Sequence, residues 1–476
     1  MKHTWLLILI VAFALILLFV RITAYEPLGY SISTYDTQGF INSGHIDFPS
    51  SDFFLSNRPA TISLLYKLLE PETGYQITAL SSPAEDIYQP PAIQPGLERV
   101  AIAQGMLSIG AWLLLAAAVA RQLKNPGLQI IATLLILAFG FSPAIAEWDS
   151  VLLSEPISLS LFVILLAISI ELLSRLFSTS GDAGSWTRTL LVAWSLVLVL
   201  WVFARDTNAY LLLILIAGLV VLLLLSWRGK LASLLNSRSL IVAILVLASL
   251  FLFHNFTLQQ SGRWINPFFN NILHNVLPFP DRVAFFESKG MPITDEVWAL
   301  RNSPGNEDGF FQIPELMAWT TAHGTSAYVQ FLLAYPGWTM EKFFSGVEVS
   351  FSENRQPFFF RNEERTTPTI SYIGDLLHSR SSSVIWIVLA ETLIFGLLAV
   401  RKQRSDITAL FFMFSALFIG ELLMLFISIH GDALGIVRHG MGSVIPLRLS
   451  LWLLPPFILD LYAMPDPSRS RSAVKS

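Results

Sequence analysis

The residue that could do chemistry most directly is an aspartate placed just beyond the first apolar run. Asp36 lies in the polar segment SISTYDTQGF. A positioned carboxylate can take the proton from a reacting hydroxyl, so Asp36 is our candidate general base. The local alternative is that Asp36 caps a helix or closes a turn, as its short side chain also allows. Asp47 and Asp52 follow in the same stretch and could replace it in either role.

Basic residues that suit a phosphate group recur near the ends of later apolar runs. They are Arg58 in SNRPATISLLYKLL, Arg205 in a very short turn, and Arg438 with His439 in HGDALGIVRHG. Guanidinium groups bind phosphate through paired hydrogen bonds. Each has a plainer alternative: Arg205 can pair locally with Asp206, and Arg58 can be an ordinary surface arginine. Arg448 is either a further ligand or a side chain that reaches back to water.

Further acids lie close to the same boundaries and could support such a site. Glu155 occurs in LLSEPISLSLF, Asp149 precedes it in the same turn, and Asp432 precedes Arg438. Burying charged groups near a bilayer costs free energy, so such residues usually have a function. For Glu155 the alternative is a helix start, because Ser154 and Pro156 flank it and an acid favours a helix N-terminus.

The composition predicts what holds these residues in place. Hydrophobic residues make up 54% of the chain, charged residues only 13%, and the mean hydropathy is +0.60. Soluble domains carry roughly 25% charged residues, so the chain is predicted to be a polytopic membrane protein. A net charge of −4 indicates no nucleic-acid partner. The absence of cysteine excludes disulfides, thiolate metal sites and cysteine nucleophiles.

Apolar runs of spanning length predict an all-α fold with about ten transmembrane helices. The runs lie at 4–20, 99–120, 128–146, 151–173, 189–204, 208–227, 239–255, 383–400, 406–428 and 441–462. The first run has no convincing cleavage site after it, so we interpret it as a retained anchor. Lysine and arginine recur in every connection on the N-terminal side of the membrane, which predicts that both termini are cytoplasmic.

This topology places two long polar segments on the outer side, where they form a mainly helical cap. Residues 1–255 form an N-terminal transmembrane module with a first outer loop at 21–98. Residues 256–382 form a large outer loop, and residues 383–476 the last transmembrane helices and a short tail. Within the large loop, residues 325–347 are predicted to be a helix lying along the membrane surface.

Four segments make the chain resemble a known group of enzymes. They are YDTQGF with the first-loop acid, the Arg-Pro segment SNRPATISLLYKLL, the Ser-Glu-Pro segment LLSEPISLSLFVILL, and GIVRHG before the last run. On these segments the chain resembles the polytopic GT-C glycosyltransferases, which use polyprenyl-phosphate sugars as donors. The outer-loop segment LPFPDRVAFFESKGMP resembles bacterial hexosyltransferase-like proteins of surface-glycan assembly.

The resemblance implies a function and a site. Asp36 would be the catalytic first-loop acid, and Arg438 and His439 would lie near the donor phosphate, with Arg205 and Arg58 as further phosphate ligands. Glu155, Asp149 and Asp432 would be supporting acids. The protein would move a hexose from a polyprenyl-phosphate donor to a glycan or lipid hydroxyl outside the plasma membrane. No cofactor is predicted, and no metal, because Asp36 lacks the paired acid that metal-binding members of the group carry.

Other functions stay open on the sequence. An O-antigen-ligase-like polymer transferase would rely on His323, Arg355 and Arg361 in the large loop. A lipid or glycan transporter would show related halves and helices broken in the middle of the membrane. An inactive scaffold of a glycan-assembly complex would keep the fold without an acidic centre.

Overall fold

A computed structural model describes residues 2–23, 28–78, 92–177, 184–227, 237–301, 307–358, 368–402 and 404–464. These residues are almost entirely helical, and among them β-structure is limited to single bridges that Ile32 makes with Ile93 and with Val151. The all-α prediction is therefore confirmed for the described part of the chain. Arg361 lies outside it.

Among the described residues, eight helices, counting in one case the 3₁₀ turn that leads into it, are long and apolar enough to cross a membrane. They belong to α5 (Glu98–Gln122), α8 (Ser154–Leu176), α9 (Ser185–Val202), α10 (Leu211–Trp227), α11 (Ser237–Ser261), α19 (Val384–Lys402), α20 (Ser405–Gly431) and α21 (Ile436–Ala463). Each matches a predicted span within a few residues. The most buried are α8 and α21, at 78% and 72% of their apolar windows. Helix α8 packs on α5, α9 and α20, and α21 packs on α19, α20 and α6.

The other two predicted spans are less regular, and the count of ten stays a prediction. Helix α1 (Lys2–Thr23) contains the first predicted run, but it is not among the eight helices that meet the length and hydropathy of a span in the described residues. The third run divides into α6 (Pro126–Gly140) and α7 (Pro143–Ala146), which with a 3₁₀ turn at Trp148–Ser150 is bent by 46° from α6. The break falls where Pro143, which has no backbone N–H, would have to continue α6.

Short helices between the spans carry the first polar loop. They are α2 (Thr37–Gly44), α3 (Ser51–Phe54) and α4 (Ala60–Leu69). Helices α2 and α4 run side by side, because Gly44 lets the backbone approach Tyr66 and Ser63 donates a hydrogen bond to Ser43 at 2.8 Å. The amide of Ile32 bonds to the carbonyl of Ser150 at 2.8 Å, which fastens the loop to the turn before α8.

The large polar segment folds around an apolar cluster of its own. Its helices are α12 (Ile265–Asn271), α13 (Pro280–Ser288), α14 (Asp295–Leu300), α15 (Pro314–Trp319), α16 (Thr325–Ala334), α17 (Pro336–Ser352) and α18 (Pro368–Leu377), with π-turns at Ile272–Val276 and Thr320–Gly324 and a 3₁₀ turn at Glu307–Gln312. The cluster is centred on buried Phe269, Phe286, Phe310 and Phe331. The segment is thus a packed unit and no loose linker.

The prediction of one helix over residues 325–347 is wrong in one respect. The structure has two helices there, α16 and α17, separated at Tyr335. Pro336 is the reason, since proline disfavours a helical conformation in the residue before it and cannot donate to the preceding turn. Helix α17 packs on α20 and α21, so it is in contact with the helix bundle.

Polar contacts distinguish the two ends of the helix bundle. At one end Asp460 accepts hydrogen bonds from the amides of Lys124 and Asn125, and Glu171 pairs with Arg175 at 2.7 Å. The opposite end, here called the loop end, carries the first polar loop, the large segment and the turns before α8, α10 and α21. Asp36, Arg58, Glu155, Arg205 and Arg438, which were proposed from the sequence, lie at the loop end.

Candidate active site at the loop end of the helix bundle

Asp36 is bound by two arginines that are distant in sequence. Its Oδ1 accepts a hydrogen bond from Arg58 Nη1 at 2.8 Å, and its Oδ2 accepts one from Arg438 Nη2 at 2.6 Å. Asp36 stands at the N-cap position of α2, yet its side chain makes no capping bond. The side chain of Asp36 therefore does not cap α2, which was the alternative to a role as general base. About a quarter of the side chain, 24%, is exposed.

Arg438 connects Asp36 to a second, fully buried carboxylate. Its Nε donates to Glu155 Oε1 at 2.6 Å, and the side chain of Glu155 has no exposed surface. Arg205 lies 3.5 Å from the same oxygen of Glu155. Glu155 lies in the first turn of α8, as expected of an acid that stabilises a helix N-terminus. It also faces two guanidinium groups, as expected of a supporting acid, so the two interpretations are compatible.

His439 extends the contacts toward the large segment. One ring nitrogen lies 3.4 Å from Arg205 Nη2, and the other lies 3.5 Å from Asp432 Oδ2. Asp432 in turn accepts a hydrogen bond from Asn270 in α12 at 2.9 Å. We call the resulting set the ion-pair cluster; it comprises Asp36, Arg58, Glu155, Arg205, Asp432, Arg438 and His439.

Asp149 was predicted as a supporting acid, and the structure places it in a different pair. It binds Arg21 at the end of α1, at 2.8 Å, and both side chains are almost completely buried. Gln104 donates to the backbone carbonyl of Asp149 at 3.0 Å. This pair fixes α1 and α5 to the bent turn after α6, which is a structural task.

The adjacent residues Arg205 and Asp206 do not pair with each other in the way the local alternative required. Asp206 receives two hydrogen bonds from Arg263, at 3.0 and 3.1 Å, and lies 3.4 Å from His254. Arg263 also donates to the carbonyl of Ser56 at 2.9 Å. Arg205 is thereby left to face Glu155, and the turn is tied to the loop that carries Arg58.

The remaining candidates lie outside the ion-pair cluster. Arg448 donates to the carbonyls of Phe351, Glu353 and Ser379, so it closes the end of α17. Asp52 is exposed in the first turn of α3. The sequence did not predict that Asn270 binds Asp432 or that Arg263 binds Asp206, since a single polar residue belongs to no recognisable pattern.

Two glycines make room for the arginines of the cluster. A Cβ on Gly39 would lie 2.2 Å from Arg58 Nε, and one on Gly442 would lie 3.3 Å from Arg205 Nη1. We expect Gly39→Ala to lower the free energy of unfolding by about 1–3 kcal/mol, because Arg58 must leave its place beside Asp36. Thermal unfolding of the detergent-purified protein measures this.

Gly110 provides the matched control for that substitution. It also lies in a helix, α5, and a Cβ there meets no atom within 4 Å. Gly110→Ala should leave the unfolding temperature unchanged or raise it slightly, since alanine favours a helix. Equal losses in the two variants would contradict the role given to Gly39.

The arginines set the charge state of Asp36. Burial raises the pKa of Asp36, but the guanidinium groups of Arg438 and Arg58 outweigh it and lower the pKa to about 2. A lowered pKa means that the pairs stabilise the fold fully above the ordinary value of 3.8, and that this contribution is lost as the pH falls through about 2. Asp36 is therefore a carboxylate throughout the neutral range, and a weak base while both arginines hold it.

A cavity adjoins the buried side of the ion-pair cluster. Its lining is charged at one side, through Glu155 and Arg205, and apolar beyond them, through Leu159, Phe162 and Trp201. Asn208 and Ser158 bond to each other at 2.9 Å along its wall. The cavity has a volume of about 10 Å³, which is room for about one water molecule.

Comparison with known proteins leaves the chain without an assigned family. No family description matches the sequence, and no curated protein does. The archaeal oligosaccharyltransferase AglB from Archaeoglobus fulgidus, in complex with an inhibitory peptide and a dolichol-phosphate, is similar at 14% identity with a TM-score of 0.40. The match covers 95% of this chain and 50% of AglB.

A second solved structure gives nearly the same values. It is the Archaeoglobus fulgidus oligosaccharyltransferase tethered to an acceptor peptide with the NVT sequon, at 15% identity and a TM-score of 0.40, covering 95% of this chain and 49% of that one. This chain thus spans about half the length of the structures it matches. Similarity at this level assigns no activity.

Proposed function

We propose that the chain is a GT-C-type membrane glycosyltransferase that moves a hexose from a polyprenyl-phosphate donor to a hydroxyl of a glycan or lipid acceptor. The observation that carries the proposal is the ion-pair cluster. It joins the first polar loop to the turns before α8, α10 and α21, and it adjoins a cavity with an apolar far side. The positive-inside pattern of the sequence predicts that this end of the bundle lies outside the plasma membrane.

The arginines supply binding and stabilisation for the donor phosphate. Arg58, Arg205 and Arg438 converge on the carboxylates of Asp36 and Glu155, so they can also converge on phosphate oxygens. Fixed guanidinium groups stabilise the charge that grows on the leaving phosphate.

Asp36 acts as the base in the proposed transfer step. The acceptor hydroxyl gives its proton to the Asp36 carboxylate, and its oxygen forms a bond to the anomeric carbon of the sugar. The bond between that carbon and the phosphate oxygen breaks, and the electron pair leaves with the polyprenyl phosphate. Attack from the face opposite the phosphate inverts the anomeric carbon.

The geometry bears on two of the alternative functions. For the polymer ligase, His323 is exposed on the large segment and Arg355 lies 3.9 Å from Glu147. The inactive scaffold would be favoured if Asp36 pointed away from any cavity; Asp36 faces Arg58 and Arg438, and it does not line the cavity beside Glu155 and Arg205.

The direct test is conversion of donor to free polyprenyl phosphate. Purified protein in proteoliposomes would receive a panel of polyprenyl-phosphate-linked hexoses and a membrane extract as the source of acceptors, with mass spectrometry of both lipid products. Wild-type protein should release polyprenyl phosphate from at least one donor. Release from none, in a preparation that is folded by its unfolding transition, would contradict the proposal.

We expect the transfer to proceed without a divalent metal. Both oxygens of Asp36 face guanidinium groups, and a cation placed there would be repelled by Arg58 and Arg438. Assays in excess EDTA should therefore retain most of the rate. A rate lost in EDTA and restored by Mg²⁺ or Mn²⁺ would show that a metal takes part, and the control is EDTA already saturated with Ca²⁺.

A further inference from the structure

The carboxylate proposed as the base is held by the groups proposed to bind the donor. Asp36 Oδ1 accepts from Arg58 at 2.8 Å and Oδ2 from Arg438 at 2.6 Å. A phosphate oxygen is also an anionic acceptor, and it needs the same N–H groups. Asp36 and the donor phosphate therefore compete for the same two arginines.

The charges of the ion-pair cluster leave no surplus for an added anion. Asp36, Glu155 and Asp432 carry three negative charges, and Arg58, Arg205 and Arg438 carry three positive charges, so the sum is zero when His439 is neutral. Uncompensated charge is costly in a poorly hydrated site. When a phosphate enters, one carboxylate must give up its arginines.

Asp36 is the carboxylate that can move. Glu155 has no exposed surface and would have no hydrated position to move to. Asp432 is fixed by hydrogen bonds from Asn270 and from the amide of Leu434, both at 2.9 Å. Asp36 is 24% exposed, belongs to the start of a helix of 8 residues, and makes no capping bond that would hold it.

We infer that the donor phosphate displaces Asp36 from Arg58 and Arg438, so that the base is released only when the donor is bound. The inference rests on the proposed function and adds an order to it: donor first, then deprotonation of the acceptor. Once the guanidinium groups turn to phosphate, they no longer hold the pKa of Asp36 down, and the carboxylate becomes a stronger base. The resting pairs thus keep the base inactive in the absence of donor.

Binding of farnesyl phosphate, a short mimic of the leaving lipid phosphate, tests the competition. Its dissociation constant would be measured by calorimetry on the full-length protein in detergent. Asp36→Asn removes the competing charge at nearly the same size, and we expect it to bind farnesyl phosphate roughly tenfold more tightly than wild type. Asp36→Ser removes the same charge and serves if the asparagine variant does not fold.

Two controls separate local competition from a general change of charge. Asp52→Asn removes a charge from an exposed position of the same loop and should leave the affinity unchanged. Asp36→Glu keeps the charge and should show no tightening. Equal or weaker binding by Asp36→Asn, or the same tightening in Asp52→Asn, would overturn the displacement. If neither wild type nor Asp36→Asn binds farnesyl phosphate, the proposed function itself fails.

Discussion

Asp36→Asn should lower the rate of sugar transfer by about a hundredfold to ten-thousandfold, the range that a positioned general base contributes. Asparagine keeps the size of the side chain and one acceptor oxygen, but it cannot take the proton of the acceptor hydroxyl. Release of polyprenyl phosphate from the donor, measured at saturating donor and acceptor, gives the rate. The loss should appear in kcat, since binding of the donor is not weakened.

The controls for this variant come from the same loop. Asp52→Asn makes the same chemical change at an exposed position of α3 and should keep the wild-type rate. The unfolding temperature of each variant shows whether it is folded. Full transfer activity in folded Asp36→Asn would remove Asp36 from the mechanism and would favour a different base or a different function.

Arg438→Gln should damage both stability and transfer, because Arg438 joins the two central carboxylates. Its loss leaves Glu155, which has no exposed surface, without its partner at 2.6 Å. Removing one partner of a buried ion pair costs about 3–5 kcal/mol. Transfer should fall below detection, since the donor phosphate loses a ligand. Unfolding in detergent and donor conversion measure the two effects.

A second substitution separates the two effects of Arg438→Gln. In Arg438→Gln, Glu155 keeps only Arg205, at 3.5 Å, and the ion-pair cluster has one negative charge in excess. Glu155→Gln in the same chain restores the charge balance, so the double variant should recover part of the lost stability while remaining inactive. Arg99→Gln, at an exposed position in the first turn of α5, is the control for loss of an arginine and should change neither quantity. Recovery of transfer in the double variant would mean that Arg438 acts only by neutralising Glu155.

Composition and apolar periodicity predicted the helical architecture well. All ten predicted runs are helical, and the long ones agree with the structure within a few residues, because a spanning helix must satisfy its own backbone and present apolar side chains to lipid. The errors lie at prolines. Pro143 and Pro336 divide segments that hydropathy alone joined, since hydropathy does not record a missing amide hydrogen.

The members of the ion-pair cluster could be selected from the sequence, but their pairing could not. Residue type and closeness to a span boundary selected Asp36, Arg58, Glu155, Arg205 and Arg438, because charges near lipid are rare enough to stand out. The same reasoning selected Asp149, which binds Arg21 instead. A position near a span boundary places a residue at one end of the bundle. Which residue at that end is its ion-pair partner depends on the packing of the helices.

By itself the sequence determined where most of the apolar helices lie along the chain, and that acids and arginines gather at the helix ends. Only the tertiary structure decided that Asp36 pairs with Arg58 and Arg438, that Asp206 turns to Arg263, and that Gly39 and Gly442 make room for guanidinium groups. The physical reason is the separation along the chain of the residues that interact. Hydropathy and helix propensity are sums over neighbouring residues, whereas an ion pair between residues 36 and 438 depends on how α2, α4, α8 and α21 pack. That packing places Asp36, the proposed base, against Arg58 and Arg438, the arginines proposed to hold the donor phosphate.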